Sequence, residues 1–266
     1  MPVSIVLSIS ALLALLPAAL LPLRREQGRD AMFWALLAVA VAGPTVVVHG
    51  LFAAGWRTGF SSALWLNIVV SLLVFALVAA VTRAGWRLAP LLLPYLMIFG
   101  AFAMIWRNQP ERPLAESGLS AWTELHIVLA LVTYGLLTIG AVAGLAVFLQ
   151  ERALKLKRPN ALTHLLPSMS DGESLQAGLL GASAVVLALG LASGAGAQYF
   201  IDGQWVHLGH KTILSLLTFA ILIALLVAHF WIGIRGRRAA RIVLLAYLLI
   251  TLAYPGVKFV TDVVLS

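Results

Sequence analysis

Long apolar runs separated by short polar segments dominate the sequence. A helix needs about 20 mostly apolar residues to cross a bilayer, and eight such runs occur. No strand-like alternation extends beyond a few residues, so the pattern predicts an all-α polytopic membrane helix bundle with eight transmembrane helices in a single transmembrane domain over residues 1–266. The runs lie at approximately 3–23, 32–55, 62–82, 88–106, 123–150, 175–198, 211–234 and 240–264.

Composition narrows the class of protein. Hydrophobic residues make up 62% of the 266-residue chain and charged residues only 11%, against roughly 45–50% and 25% in globular proteins. This excludes a soluble enzyme. The chain has no cysteine, which excludes disulfides, thiolate metal sites, iron–sulfur clusters and covalently attached haem. It also lacks a nucleotide-binding loop, and no Ser-His-Asp set falls at one depth, so we expect a non-enzymatic role.

The charge distribution predicts an orientation. Thirteen of the 18 Lys and Arg residues fall on one side of the predicted spans and four on the other. The positive-inside rule then places both termini outside, in a multi-pass protein of the bacterial inner membrane. Because topology explains the basicity, no nucleic-acid partner is expected. The richer side holds Arg24, Arg25, Arg29, Arg83, Arg87, Arg152, Lys155, Lys157, Arg158, Arg235, Arg237, Arg238 and Arg241, and the other Arg57, Arg107, Arg112 and Lys211.

Tryptophans support the same span ends. All eight lie near a predicted interface, where an amphipathic ring is most stable. The predicted outer ends carry Trp56, Trp65, Trp106, Trp122 and Trp205, and the inner ends Trp34, Trp86 and Trp231.

Histidines inside the apolar runs are the first candidates for function, because ionisable groups in hydrocarbon are costly. At 1.5 Å per residue, His49 lies about 10 Å and His126 about 6 Å below the outer surface. His210 marks the outer entry of the seventh run. His229 lies about 9 Å from the inner end of that run. Two levels result: His49, His126 and His210 near the outer face, and His229 alone near the inner one.

Two imidazoles at one depth on facing helices can clamp a haem iron from both sides. The same pair suits another metal such as copper or zinc, and each histidine can instead hydrogen-bond across helices. The other two histidines, His207 and His164, are expected in solvated loops. Lys258, in the last run, either pairs with Asp262 one turn on or meets an acidic group of a ligand, such as a haem propionate.

Two segments resemble a known family. From Glu124 to Lys157 the chain contains LHIVLALVTYGLLTIGAVAGLAVFLQERALKLK, and from Lys211 onward KTILSLLTFAILIALLVAHFWIGIRGRRAARIVLLAYLLITLAYPGVKF. Both resemble the cytochrome c assembly protein family, the CcsA-like group, and in particular its short HemX- and YpjD-type members. The resemblance covers roughly residues 60–264 and is strongest within 123–264.

The resemblance implies haem handling at the outer membrane surface during cytochrome c maturation. By position, His126 matches the family's first outer histidine. His229 matches the histidine near the end of the helix that follows the family's signature loop. His49 matches the histidine in the second span of YpjD-type members. The larger haem-delivery proteins carry a WWD tract where this chain has GQWVHLGHK, and an outer histidine beyond the last helix that is absent here. These departures favour an accessory, sensor or electron-relay role over direct presentation of haem.

The leading hypothesis is therefore a non-enzymatic protein that binds non-covalent haem b through His49 and His126, with Lys258 near a propionate. His210 is an alternative partner for His126, and His229 marks a second, inner site or its remnant. The expected partners are the lipid bilayer, haem and other membrane or cytochrome c maturation proteins. Two alternatives stay open: a transporter or ion-linked component that uses the intramembrane His and Lys, and a regulatory or scaffolding subunit.

Overall fold

The computed structural model describes residues 5–24, 28–53, 57–108, 112–113, 121–203, 209–234, 236–256 and 259–260. A helix occupies each of the eight predicted apolar runs, so the all-α expectation is confirmed. The helices are α1 (Ile5–Arg24), α2 (Ala31–Phe52), α3 (Phe60–Val81), α4 (Ala89–Ile105), α5 (Ala121–Lys155), α6 (Ala161–Leu165), α7 (Met169–Asp202), α8 (His210–Val227) and α9 (Gly236–Thr251).

Short elements complete the described chain. A 3-10 turn, Gly85–Leu88, precedes α4, and π-helical turns follow α8 at Ala228–Ile232 and α9 at Leu252–Gly256. Arg57–Thr58 pairs antiparallel with Arg112–Pro113 over two residues. The sequence pattern gave no sign of this pairing, because two residues are too few to produce an alternation.

Within the described residues, six helical segments are long and apolar enough to cross a membrane, which supports a multi-pass membrane protein. The apolar part of α1, Ile5–Leu21, is shorter, and α9 begins with three arginines within its first two turns. The exact number of eight spans stays a prediction. The six segments are Ala31–Phe52, Phe60–Val81, Gly85–Ile105, Ala121–Lys155, Met169–Phe200 and Thr212–Ile232.

The helices divide into two compact units. Unit 1 takes in Met1–Leu114, Ala153–Pro167 and Lys258–Ser266, and unit 2 takes in Ala115–Arg152 and Ser168–Val257. Unit 1 therefore holds the first four predicted spans, and unit 2 holds the next three and most of the eighth. The single transmembrane domain expected from the sequence stays a prediction.

In unit 1, α1 and α3 each pack against both α2 and α4. The most enclosed of these spans is α3, with 61% of its most apolar window buried against 28% for α2. Trp65 is only 2% exposed. It therefore belongs to the protein core one turn into α3, and not to the lipid interface where the sequence pattern placed it. A buried Ser61 hydroxyl donates to the Ala103 carbonyl of α4 at 2.8 Å.

One end of unit 1 gathers residues that the sequence assigned to the inner side. Arg29 donates to the carbonyls of Ala80, at 2.9 Å, and Thr82, at 3.4 Å, so a cation completes the C-terminal end of α3. Its guanidinium also lies 5.7 Å from the Trp34 ring centroid. Phe33 contacts both Trp34 and Trp86 edge to face. The loops that follow the first and third spans thus share one end of the unit, as the predicted topology requires.

Unit 2 contains α5, α7, α8 and α9. Contacts join α7 to α8 and α8 to α9, and hydrogen bonds join α5 to α7 and to α9. The most buried span is α5, with 67% of its window enclosed, and the least buried is α8, with 17%. Interior positions therefore lie mainly on α5, and α8 presents most of its apolar surface outward.

Candidate functional site

His126 lies near the start of α5, half-buried against α7. Its Nδ1 is 2.9 Å from the Gly190 carbonyl oxygen. A carbonyl only accepts hydrogen bonds, so Nδ1 carries the proton and the lone pair of the neutral ring is on Nε2. Metal-binding histidines are commonly oriented in this way, by a carbonyl on the opposite ring nitrogen. The hydrogen bond therefore orients the ring of His126 and leaves Nε2 as the nitrogen that can accept a hydrogen bond or bind a metal.

Small residues of α7 make room for the His126 ring. A methyl group added at Gly194 would lie 2.9 Å from Cε1 and 3.0 Å from Nδ1 of this ring. One turn above, Trp122 stacks on Phe200 at 6.2 Å, and Gly196 leaves space beneath the indole. The glycine-rich stretch of α7 thus lets two rings of α5 lie close against its backbone.

His49 occupies the last turn of α2 in unit 1 and is exposed. Within the described residues, no hydrogen bond reaches its ring, so its orientation is not fixed as that of His126 is. His210 is the first residue of α8, and its side chain lies outside the described part. Lys258, Asp262 and His207 also lie outside the described residues. His164, on α6, is exposed as expected.

His229 lies in the π-helical turn after α8. Its Nδ1 is 3.1 Å from the Ile234 carbonyl oxygen, so here too the neutral ring carries its lone pair on Nε2. The ring lines a small cavity together with Glu173 and Gln176 of α7. The space open to the centre of a water molecule is about 10 Å³, enough for one water and far less than a porphyrin occupies.

The two histidines of unit 2 are not brought together. His126 contacts α7 at Gly190 and Gly194, and the cavity beside His229 reaches along α7 no further than Leu180. The helix between Leu180 and Gly190 is about 15 Å long. The two rings therefore do not lie at one site. Within the described residues, no three His, Asp or Glu side chains form a group able to hold a metal ion.

A hydroxyl cluster between α5 and α9 escaped the sequence reasoning. The Tyr247 hydroxyl donates to that of Tyr134 at 3.2 Å, and the Tyr134 hydroxyl lies 3.4 Å from Thr251 Oγ1. Thr138 lies within hydrogen-bond distance of both the Tyr247 hydroxyl, at 3.3 Å, and the Tyr134 carbonyl, at 2.8 Å. In the sequence, the sign of this cluster was the presence of two tyrosines inside apolar runs.

Two carboxylates meet at the first turn of α9, a second feature that the sequence did not reveal. Glu173 accepts from the Gly236 N–H at 2.9 Å, and Glu151 accepts from the Arg237 N–H at 2.8 Å. Negative groups are favourable at a helix N-terminus. Gly236 has a φ of +61°, and a methyl group there would lie 2.7 Å from Glu151 Oε2. The GRR sequence is thus a turn and a carboxylate-binding cap, which we call the α9 clamp (Glu151, Glu173, Gly236 and Arg237).

Comparison with known proteins matches residues 55–265 to the family described as cytochrome C assembly protein. This chain belongs to that family. It is also 49% identical over 268 residues to the "Uncharacterized 28.8 kDa protein in nifR3-like 5'region" of Azospirillum brasilense, with 99% of each chain covered. No solved structure matches the chain.

Membership of the cytochrome c assembly family confirms the resemblance that the sequence motifs carried. Together with the multi-pass helical architecture, it supports a haem-handling membrane protein. Proteins of this family are generally not classical enzymes. The Lys-Thr-x-x-Ser-Leu start, the GxRGRRA turn and the Tyr-Pro-Gly-Val-Lys ending all lie inside the matched residues.

Proposed function

We propose that the protein binds one haem b in the outer leaflet of the bacterial inner membrane, non-enzymatically and as an accessory to cytochrome c maturation. His126 and His49 would hold the haem iron, with His210 the alternative partner of His126. Lys258 would meet a propionate. Both termini face outward, and the eight helices belong to one transmembrane domain.

The geometry of His126 carries this proposal. Its Nδ1–H is committed to the Gly190 carbonyl, which leaves the Nε2 lone pair for iron. The half-buried ring rests on glycine backbone, so its rotation is restricted by contact on one face. A ligand held in advance loses less conformational entropy when iron binds.

His49 would supply the second ligand for the iron. His49 is exposed at the end of α2, and by sequence depth it falls in the same leaflet as His126. Two neutral imidazoles suit iron. Haem held by these histidines would supply one-electron redox chemistry. The role of the residues is therefore to bind and orient haem for relay or sensing.

Absorbance spectroscopy of the full-length protein, purified from haem-replete cells, tests the proposal. We expect a Soret band with bis-imidazole character and about one haem per chain. The His126→Ala and His49→Ala variants should each lose most of it, because a single imidazole holds b-type haem weakly. His164→Ala is the matched control, since that ring is exposed on α6.

A full haem complement in His126→Ala would overturn the proposed ligand. A colourless, well-folded wild-type preparation would overturn haem binding altogether and favour the transporter or scaffold alternatives. Flux of a substrate in proteoliposomes then separates those two.

A further inference from the structure

The cavity beside His229 contains three polar side chains that the haem site does not use. It is enclosed by three helical segments of unit 2, and most of its lining is apolar, from residues such as Leu180, Leu225 and Leu226. Three polar side chains face it: Glu173 and Gln176 of α7, and His229. Because Glu173 and Gln176 are three residues apart on one helix, they lie on the same face.

Two of these side chains are already oriented by hydrogen bonds on their far sides. His229 donates Nδ1–H to the Ile234 carbonyl, and Oε1 of Glu173 accepts from the Gly236 N–H. Metal ligands in proteins typically carry such supporting bonds, which fix the donor atom that points to the ion. Nε2 of His229 and the second oxygen of Glu173 are left available.

Gln176 provides the third donor. The residue is only 3% exposed and lines the cavity. Gly144 of α5 lies beside it, and a methyl group added to that glycine would stand 3.6 Å from Oε1, so the helix opposite leaves room for the amide. Burying an amide costs free energy unless its polar atoms are bound, so a guest that binds the amide oxygen would offset that cost.

We infer that Glu173, Gln176 and His229 bind a single divalent transition-metal ion near the inner end of unit 2. Imidazole nitrogen with carboxylate and amide oxygens suits ions of the Zn²⁺, Fe²⁺ and Mn²⁺ class. The ring nitrogen and the carboxylate oxygen present only lone pairs, and the amide oxygen adds a third. A cation satisfies all three acceptors at once, whereas a water molecule has two hydrogens to donate. The available space fits one such guest.

Zinc is the probe for the test. Full-length protein in detergent, freed of its purification tag and stripped with a chelator, is titrated with Zn²⁺ by calorimetry, and bound zinc is counted by mass spectrometry. We expect one zinc per chain. X-ray absorption at the zinc edge should show nitrogen and oxygen neighbours at about 2.0–2.2 Å, including one imidazole. The haem content is measured separately from the Soret band, so failure of either proposal is visible alone.

Matched variants separate a ligand from a structural role. Glu173→Gln keeps an oxygen for the Gly236 N–H but removes the carboxylate, and it should weaken zinc binding at least tenfold. Glu151→Gln changes the other half of the α9 clamp, does not touch the cavity lining, and should bind as the wild type does. Gln176→Leu lies outside the clamp and should also weaken binding, and His229→Ala should abolish it.

Three outcomes would overturn the inference. One is the absence of stoichiometric zinc in the wild type. Another is equal weakening by Glu151→Gln and Glu173→Gln, which would mean that the clamp acts on the fold. The third is undiminished binding in His229→Ala with an unchanged absorption spectrum, which would place the zinc elsewhere.

Discussion

At the residue scale, the position of His126 depends on a residue that has no side chain. Gly194 faces the imidazole so closely that a methyl group would stand 2.9 Å from Cε1. Either the ring or the helix must shift to admit it. The bond to the Gly190 carbonyl, which sets the tautomer, is then strained or lost.

We therefore expect Gly194→Ala to lower the haem content of the purified protein severalfold, as judged by the Soret band. Gly178→Ala is the matched control, because a methyl group there meets nothing within 4 Å. Equal haem content in both variants would contradict the account of how the ring is held.

Asn67 and Ser71 present the opposite case, polar groups that the fold does not satisfy. They lie one turn apart on α3 and are 2% and 1% exposed. Neither the amide nor the hydroxyl has a hydrogen-bond partner within the described residues. Other hydroxyls in the helices donate to the carbonyl one turn earlier, as Thr133 does to Leu129 and Thr218 to Leu214, both at 2.8 Å.

Asn67→Leu should consequently raise the free energy of unfolding by about 1–3 kcal/mol, since it removes a buried unpaired amide. Ser61→Ala should lower it by about 0.5–1.5 kcal/mol, because that hydroxyl is bonded to the Ala103 carbonyl. Denaturation in mixed detergent measures both. A destabilised Asn67→Leu would mean that the amide has a partner in the membrane.

At the element scale, hydroxyl groups and small residues hold the helices together, because lipid is as apolar as the side chains it replaces. The cluster of Tyr134, Thr138, Tyr247 and Thr251 joins α5 to α9. It lies near the middle of α5 and in the C-terminal part of α9.

A double-mutant cycle of Tyr134→Phe and Tyr247→Phe should give a coupling energy of about 0.6 kcal/mol, the average for hydrogen bonds between membrane helices. Thr133→Val paired with Tyr247→Phe is the control and should show no coupling. The Thr133 hydroxyl bonds only within its own helix, to the Leu129 carbonyl. Equal coupling in the two cycles would contradict the cross-link.

Helix existence was predictable from the sequence, and some helix ends were not. Apolar length alone located all eight runs, because that property is what a bilayer selects. The start of α7 was placed at residue 175 and lies at Met169. Ser168 caps the Asp171 N–H at 3.2 Å, and the polar first turn that follows carries no hydrophobic signal.

The candidate site was also predictable only in part. Depth along a span follows from counting residues, so the levels of His126 and His229 could be argued without a structure. Their hydrogen-bond partners could not, because the partners are the backbone carbonyls of Gly190 and Ile234, which residue type does not reveal. The α9 clamp could not be predicted either, because Glu151 and Glu173 resemble the other charged residues that flank apolar runs.

At the scale of the whole molecule, the predicted orientation places two exposed positions on opposite sides of the membrane. Asn108 follows α4 on the expected outer side, and Pro159 precedes α6 on the expected inner side. Because the chain has no native cysteine, a single cysteine at either position reports without background.

A membrane-impermeant maleimide should label Asn108→Cys in intact spheroplasts and label Pro159→Cys only after permeabilisation. The Gly28→Cys variant, in the first predicted inner loop, should behave like Pro159→Cys. The reverse pattern would invert the topology and move the His126 level to the cytoplasmic leaflet.

The α9 clamp also bears on the order in which the protein is made. Glu151 and Glu173 are synthesised before the two N–H groups from which they accept hydrogen bonds. Both carboxylates that accept hydrogen bonds from α9 are therefore present in the nascent chain before α9 is synthesised. A chain that stops short of residue 236 would lack both N–H donors of the α9 clamp, so this contact between the helices forms only when the last helix has been made.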